Sequence, residues 1–219
     1  MIIKKAGILG SGEVGKTIAK GLLRTGHEVM IGSRNTDKIK ELQKENPTIK
    51  TGSYEETARF GEILFLCTSG KATIEVINKA GIENFNNKTV VDITNPLIMK
   101  EEGIMESMEL STKNNESLGM IIQETIPKAM IVKALNTVTA KYMTEAKKVK
   151  EGIPTIFIAG NEEEAKKKVK EILEKWGWKD IIDIGMIKES YLLEALAMLW
   201  IRYGITKNHW NHSFSLIKE

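Results

Sequence analysis

A single cysteine, Cys67, stands in the whole chain, so no intrachain disulfide can form and the composition fits a reducing compartment. Cys67 closes an apolar run with no histidine near it in sequence, which argues against a nucleophilic role. No stretch reaches the roughly 20 apolar residues of a membrane span, and the N-terminus runs straight into a strand pattern instead of a targeting signal. A cytoplasmic protein without a membrane partner is therefore expected. No block of one charge sign exists either. The 32 Lys and Arg and 29 Asp and Glu leave a net charge of +3, and lysines and glutamates are interspersed along helical stretches, the pattern of solvated faces and not of a nucleic-acid footprint. Histidine is scarce at three residues, and the i, i+3 pair His209 and His212 has no acidic or thiolate ligand beside it, so no metal centre is expected. Internal repeats, low-complexity segments, Ser/His/Asp sets and paired carboxylates are also missing, and no catalytic side chain is nominated. What is present, 42% hydrophobic and 28% charged residues over 219 positions, suits one large domain, or one domain with a small appendage.

The chain is organised around Gly10-Ser11-Gly12-Glu13-Val14-Gly15. This GxGxxG follows the apolar run Ala6-Gly7-Ile8-Leu9, a buried-strand pattern, and precedes Ile18, Leu22 and Leu23, which share one helical face. Each glycine has its own task. Gly10 makes the turn, Gly12 lets the backbone approach a pyrophosphate, and Gly15 lets helix and strand pack closely, so that the helix N-terminus faces the phosphates.

The second strand pattern, His27 to Gly32, ends at Ser33-Arg34-Asn35. NAD-binding folds place Asp or Glu at this end to hold the ribose 2′-hydroxyl, whereas an Arg accommodates a 2′-phosphate. Glu28 lies at the wrong end of the strand. Arg34 offers a planar fork, Ser33 a hydroxyl donor, and Lys38 a second positive charge one helical turn on. The alternative is that Arg34 is a solvated loop residue.

A helix with Ile39 and Leu42 inward is expected next, closed by Asn46-Pro47, and Ser53-Tyr54-Glu55-Glu56 has capping-box spacing for a short helix. The run 62–68 reads as a strand covered on both faces, and its end, Thr68-Ser69-Gly70, should face the cofactor. The strand 89–93 closes at Thr94-Asn95-Pro96, where Asn95 is either a partner for a nicotinamide amide or ribose, or an Asn-Pro turn starter. The stretch 97–115 shows no clear period and reads as disordered or, in preference, as a lid. Ser117 can cap a helix that Pro127 ends. Strands are expected over 131–135, closed by Asn136 to Ala140, over 155–159, and over 181–185, with Asn161 and the glutamates after it supplying cap and capping box for an amphipathic helix between the last two. From Lys188 to Gly204 apolar residues occupy more than one stripe, so this helix should be buried on several sides, by the sheet and by a partner subunit. The pattern as a whole is an α/β, Rossmann-like, doubly wound, mostly parallel sheet over 1–185 with a small C-terminal helical portion over 186–219.

With these residues in hand, the chain resembles the coenzyme F420-dependent NADP oxidoreductase family. The resemblance extends over nearly the whole length and is carried by Ile8 to Gly12, Gly32-Ser33-Arg34, Val132 to Thr137, Ala159-Gly160-Asn161 and Leu196 to Arg202. It implies an NADP(H) site lined by Ser11, Gly12, Glu13, Val14, Ser33, Arg34, Lys38, Thr68 and Ser69, with Val138, Thr139 and Ala140 near the nicotinamide. Asn35, Asn95, Asn136 and the glycines Gly10 and Gly15 complete the candidate set. It further implies a dimer and a hydride passed between NADPH and a planar small-molecule acceptor such as the deazaflavin F420. The switch-point rule leaves one nicotinamide face open, so the acceptor pocket is expected between the strand ends at Ser69, Asn95 and Thr137 and the helix 188–204, with that helix, the stretch 97–115 and a second subunit as the available apolar cover. Members established with the deazaflavin carry proline where this chain has Thr139 and an apolar or proline-bearing turn near Thr68-Ser69. The acceptor therefore stays open among deazaflavin, flavin, quinone, ferric chelate and imine. The imine case is weakened by the few dozen residues after the last strand. A non-enzymatic NADP sensor is the alternative from another class.

Overall fold

The structure is a computed structural model and describes residues 4–34, 40, 43–44, 46–113, 115–149 and 152–217. The apolar run before the glycine turn is strand β1 (Lys5–Leu9), and the turn feeds helix α1 (Glu13–Arg24), which buries Gly15, Ile18, Ala19, Gly21 and Leu22. The helix stops at Thr25, followed by Gly26 at φ +84, the left-handed conformation that glycine adopts without strain. β2 (Glu28–Gly32) comes next. The helix expected after it falls partly outside the described residues, Ile39 and Leu42 included, while Lys40, Gln43 and Lys44 are helical.

β3 (Lys50–Gly52) precedes α2 (Tyr54–Phe60), whose Ser53 capping box forms as its spacing predicts. β4 (Ile63–Leu66), α3 (Gly70–Ala80) and β5 (Thr89–Asp92) follow. Within the segment expected to be a lid or disordered, β6 (Leu97–Met99) and β7 (Met108–Leu110) pair as an antiparallel hairpin. Then come α4 (Leu118–Thr125), capped by the Ser117 hydroxyl, β8 (Met130–Lys133), the short α5 (Ala140–Met143), β9 (Thr155–Gly160), α6 (Glu163–Lys175), β10 (Asp180–Asp183) and α7 (Ser190–Lys207).

The main sheet has the order β10-β9-β8-β5-β4-β1-β2-β3. Six strands from β3 to β8 are parallel, and β9 joins β8 antiparallel and carries β10 parallel to itself. The chain winds outward in both directions from the β1/β4 pair, so the crevice above the carboxyl ends of those strands is the topological switch point. Alternate residues of the central strands enter separate cores. Ile8, Ile63, Phe65 and Val132 pack with α1, α5 and α6, while Leu9, Leu64, Leu66 and Ile131 pack with α3 and α4. Near-continuous burial of these strands reflects helices on both faces.

One expectation is corrected by packing. Asn161 does not cap α6, because its Oδ1 accepts the Ile187 N–H at 3.0 Å, and Glu162 takes the cap position without a side-chain bond. Helix α7 buries one stripe only, Ser190, Leu193, Glu194, Ala197, Ile201 and Gly204, and within this chain Leu192, Leu199 and Tyr203 on its other side stay exposed.

Candidate functional site

The glycine turn is built as its spacing requires. Gly10 has φ +126, and a Cβ there would meet the Cys67 carbonyl at 2.4 Å; a Cβ on Gly15 would meet the Gly10 carbonyl at 2.0 Å. Nothing lies within 4 Å of a Cβ built on Gly12. The turn is thus closed on two sides by protein and open on the third, the side where a pyrophosphate needs room. That opening belongs to a cleft of about 340 Å³ lined by Gly10, Ser11, Gly12, Arg34, Thr68 and Ser69. A dinucleotide phosphate group fits this donor set, since the wall combines backbone amides at a helix N-terminus with hydroxyls and an exposed guanidinium. The Ser11 and Ser33 hydroxyls are hydrogen-bonded at 2.8 Å, which ties the turn after β1 to the turn after β2.

The remaining candidates divide. Glu13 is exposed in the first turn of α1, and Val14 packs against the core behind it. Asn35 and Lys38 lie outside the described residues. Thr68 is hydrogen-bonded to Thr73 at 2.9 Å, and Ser69 takes the N-cap position of α3 without spending its hydroxyl there. Tyr54, Ala72, Glu75 and Val76 also line the cleft and were not anticipated. Three of them follow from helix periodicity, because 72, 75 and 76 recur on one face of α3 once Ser69 is placed at the cleft. Glu75 is paired with Lys79 at 2.5 Å, and its carboxyl is held below the usual range chiefly by that bond, with the Arg34 guanidinium adding to it. The Cys67 thiol is pushed far up by burial and by Asp92, so it stays protonated and inert.

At the neighbouring strand ends, the amides of Asn95 and Asn136 lock the β5 and β8 ends together. Asn136 Nδ2 donates to Asn95 Oδ1, and Asn95 Nδ2 donates to the Asn136 carbonyl, both at 2.9 Å. Asn136 also donates to the Leu193 carbonyl of α7, and its buried Oδ1 has no partner among the described residues. The preceding Leu135 holds φ +62, a left-handed conformation that a leucine adopts only where its surroundings enforce it. The side chains of Val138 and Ala140 belong to the hydrophobic core, leaving the half-buried Thr139 as the one side chain of that triplet outside it.

A second pocket of about 650 Å³ shares Ser69 with the cleft and is lined further by Lys71, Leu97, Ile98, Met99, Glu102 and Ser111. The hairpin walls it, and no residue of α7 lines it. Helix α7 stands behind the hairpin, where the Arg202 guanidinium donates to the Glu106 and Met108 carbonyls. His209 and His212 are engaged in the tail, with His212 stacked on Trp200 at 4.5 Å between ring centroids. Among the described residues no cluster of His, Cys, Asp or Glu could hold a metal, and no helix is long and apolar enough to cross a membrane.

Comparison with known proteins agrees with this architecture. The family described as NADP oxidoreductase, coenzyme F420-dependent, matches residues 5–96. The metalloreductase STEAP3 of Rattus norvegicus is 26% identical over 195 residues, 89% of this chain, which spans only 36% of that protein. The F420-dependent NADP reductase of Methanocaldococcus jannaschii is 25% identical over 206 residues, 90% of each chain. A provisionally assigned F420-dependent NADP reductase of Arthrobacter sp. FB24, known from its crystal structure, is 32% identical and superimposes with a TM-score of 0.92 over 99% of this chain and 100% of its own. With the glycine turn, the Ser33-Arg34 strand end and this full-length likeness together, the chain belongs to the family of coenzyme F420-dependent NADP oxidoreductases.

Proposed function

We propose that the chain is an NADP(H)-dependent oxidoreductase that passes a hydride between NADPH and a planar acceptor such as coenzyme F420. The observation that carries this reading is the open face of Gly12 in a cleft that also holds Arg34 and shares Ser69 with a second, larger pocket. The nicotinamide supplies the hydride chemistry, so the protein's work is to bind, orient and exclude water. Ser11, Gly12 and the α1 N-terminus hold the pyrophosphate, and Ser33 and Arg34 hold the 2′-phosphate, with Asn35 and Lys38 following them in sequence. Thr68, Ser69, Asn95, Asn136 and Thr139 border the nicotinamide half. Leu97, Ile98 and Met99 give the second pocket an apolar wall suited to a flat ring, and Lys71 gives it one cation.

A ferric chelate is the second acceptor class, favoured by the match to the metalloreductase. The portion 186–219 supports the pocket from behind and offers Leu192, Leu199 and Tyr203 to a second subunit of a cytoplasmic homodimer. The test mixes protein and NADPH with oxidised F420, FMN, a quinone or a ferric chelate in turn and follows nicotinamide absorbance. Rapid turnover with F420 alone supports the leading reading, and turnover only with another acceptor replaces it. Tight NADPH binding with no turnover makes the protein a sensor. Sedimentation as a monomer at micromolar concentration would overturn the dimer.

A further inference from the structure

Beneath the strand ends lies a group of charges with no contact to water. Asp92 and Lys133 are the last residues of β5 and β8 and face each other in register. Glu194 reaches them from α7, and the side chains of Lys133, Asp92 and Glu194 are all fully buried. The Lys133 ammonium spends its three protons on Asp92 Oδ2 at 2.9 Å, the Thr94 carbonyl at 2.6 Å and Glu194 Oε1 at 2.8 Å. Both carboxylates receive donors only. Asp92 Oδ1 accepts the Thr94 N–H at 2.9 Å and the Thr94 hydroxyl at 2.6 Å, and Glu194 accepts the Leu118 and Gly119 N–H groups at 3.0 and 3.2 Å. Each of the four carboxyl oxygens faces an N–H donor, so the hydrogen-bond geometry suits the carboxylate form of both acids. Burial alone would lower the Lys133 amine, but the Asp92 and Glu194 carboxylates outweigh it and hold the ammonium above the usual lysine range.

Two carboxylates against one ammonium leave one negative charge, partly offset by the α4 N-terminus that Glu194 accepts from. A buried charge is screened by salt far less than a surface one. Asp92 precedes Asn95 by three residues, so the cluster lies within about 10 Å of the loop at which the switch-point rule places the nicotinamide. The oxidised nicotinamide ring carries a positive charge and the reduced ring carries none.

We propose that the Asp92–Lys133–Glu194 cluster is a charge device that favours the oxidised over the reduced cofactor and so biases this protein toward oxidising NADPH. In that direction a hydride, two electrons and a proton, leaves the cofactor for the acceptor, which takes a further proton from solvent when it is reduced by two electrons. The positive charge left on the cofactor is stabilised by the carboxylates below the strand ends. This inference rests on the cofactor reading above and adds a direction to it. None of the three residues touches the reacting atoms; they are positioning residues whose effect is electrostatic.

The test measures the dissociation constants of NADP+ and NADPH separately, by calorimetry or fluorescence, for the wild type and for Glu194→Gln, Asp92→Asn and Glu194→Asp. The two neutralising variants, on different elements, should each raise the ratio of the NADP+ constant to the NADPH constant by about five- to tenfold. A tenfold change corresponds to about 30 mV in the potential of the bound two-electron couple. Glu194→Asp keeps the charge while disturbing the geometry, so its ratio should stay at the wild-type value even where both affinities fall. A thermal melt of each variant establishes folding, and either neutralising variant suffices for the comparison. Equal weakening of both cofactor forms by the neutralising variants would overturn the charge device, as would a Glu194→Asp ratio shifted as far as theirs. Failure of the wild type to bind either form would instead remove the cofactor reading itself.

Discussion

The hydroxyls of Ser11 and Ser33 lie 2.8 Å apart, so the glycine turn after β1 and the Ser33-Arg34 turn after β2 are joined directly. The Gly10 N–H to Gly32 carbonyl bond at 3.0 Å joins the same two turns one residue earlier on each strand. Arg34 extends from this double link as an exposed cation at the cleft. A charge-assisted contact of a guanidinium with a phosphate contributes about 1.5–3 kcal/mol. Arg34→Ala should therefore weaken NADPH about ten- to a hundredfold and leave NADH nearly unchanged. Equal losses for the two cofactors in a binding titration would remove Arg34 from the phosphate site.

Two glycines of one motif should respond in opposite ways. Gly12 has φ −72 and ψ −173, an extended conformation any residue adopts, and open space where its side chain would be. Gly12→Val should leave the melting temperature at the wild-type value and abolish dinucleotide binding by filling the phosphate's room. At Gly15 a methyl group would sit 2.0 Å from the Gly10 carbonyl, so Gly15→Ala should destabilise the fold by about 1–3 kcal/mol through overpacking. A Gly12→Val protein that keeps its NADPH affinity would show that the turn holds no phosphate.

Glu75 should oppose an anion drawn to Arg34. It lines the same cleft, and its carboxylate is near enough to the guanidinium to be lowered by it, after the larger effect of Lys79. A 2′-phosphate arriving at Arg34 meets this negative charge as well. Glu75→Gln should tighten NADPH by about two- to fivefold at low salt, with a smaller gain for NADH, because exposed charges at this range interact modestly. Unchanged or weaker NADPH binding in the variant would show that Glu75 does not face the phosphate.

The legible parts of this fold are those whose causes are local. The glycine turn is dictated by backbone sterics within six residues, and the Ser53 box by a reciprocal pair three residues apart, with Ser53 Oγ accepting from the Glu56 N–H at 3.1 Å and Glu56 Oε2 from the Ser53 N–H at 2.7 Å. The illegible parts depend on distant partners. Asn161 has the residue type and position of a cap, yet Ile187, far along the chain, takes its acceptor. The strands of the β6–β7 hairpin are three residues each, too short for a period, and Arg202 holds the carbonyls at its far strand. Lys133 sits in an apolar strand with nothing nearby in sequence to announce its partners Asp92 and Glu194. At the candidate site the turns after β1, β2 and β4 are readable, but the wall supplied by Tyr54 and Glu75 requires knowing which face of each helix the cleft exposes.

His27 offers a test of the packing that supports the glycine turn from the other end of α1. It is buried below the C-terminus of that helix, where Nδ1 lies 3.2 Å from the Leu22 carbonyl and 3.0 Å from the Thr25 hydroxyl. Burial lowers its pKa below the ordinary 6.5, the Leu22 bond opposes that shift, and the Lys175 ammonium reinforces it. In the unfolded chain the imidazole titrates near its ordinary value of about 6.5. Above that pH both states hold a neutral ring and the shift has no effect on stability. As pH falls below it, the unfolded state binds a proton that the folded state refuses, so stability declines until the lowered folded-state pKa is passed and then levels off. His27→Gln keeps an amide donor for the Leu22 carbonyl and cannot titrate. In urea unfolding between pH 8 and pH 5, the wild type should lose stability relative to the variant, with the loss beginning near pH 6.5. A constant difference between the two proteins across that range would mean that the folded state protonates His27 as readily as the unfolded chain does.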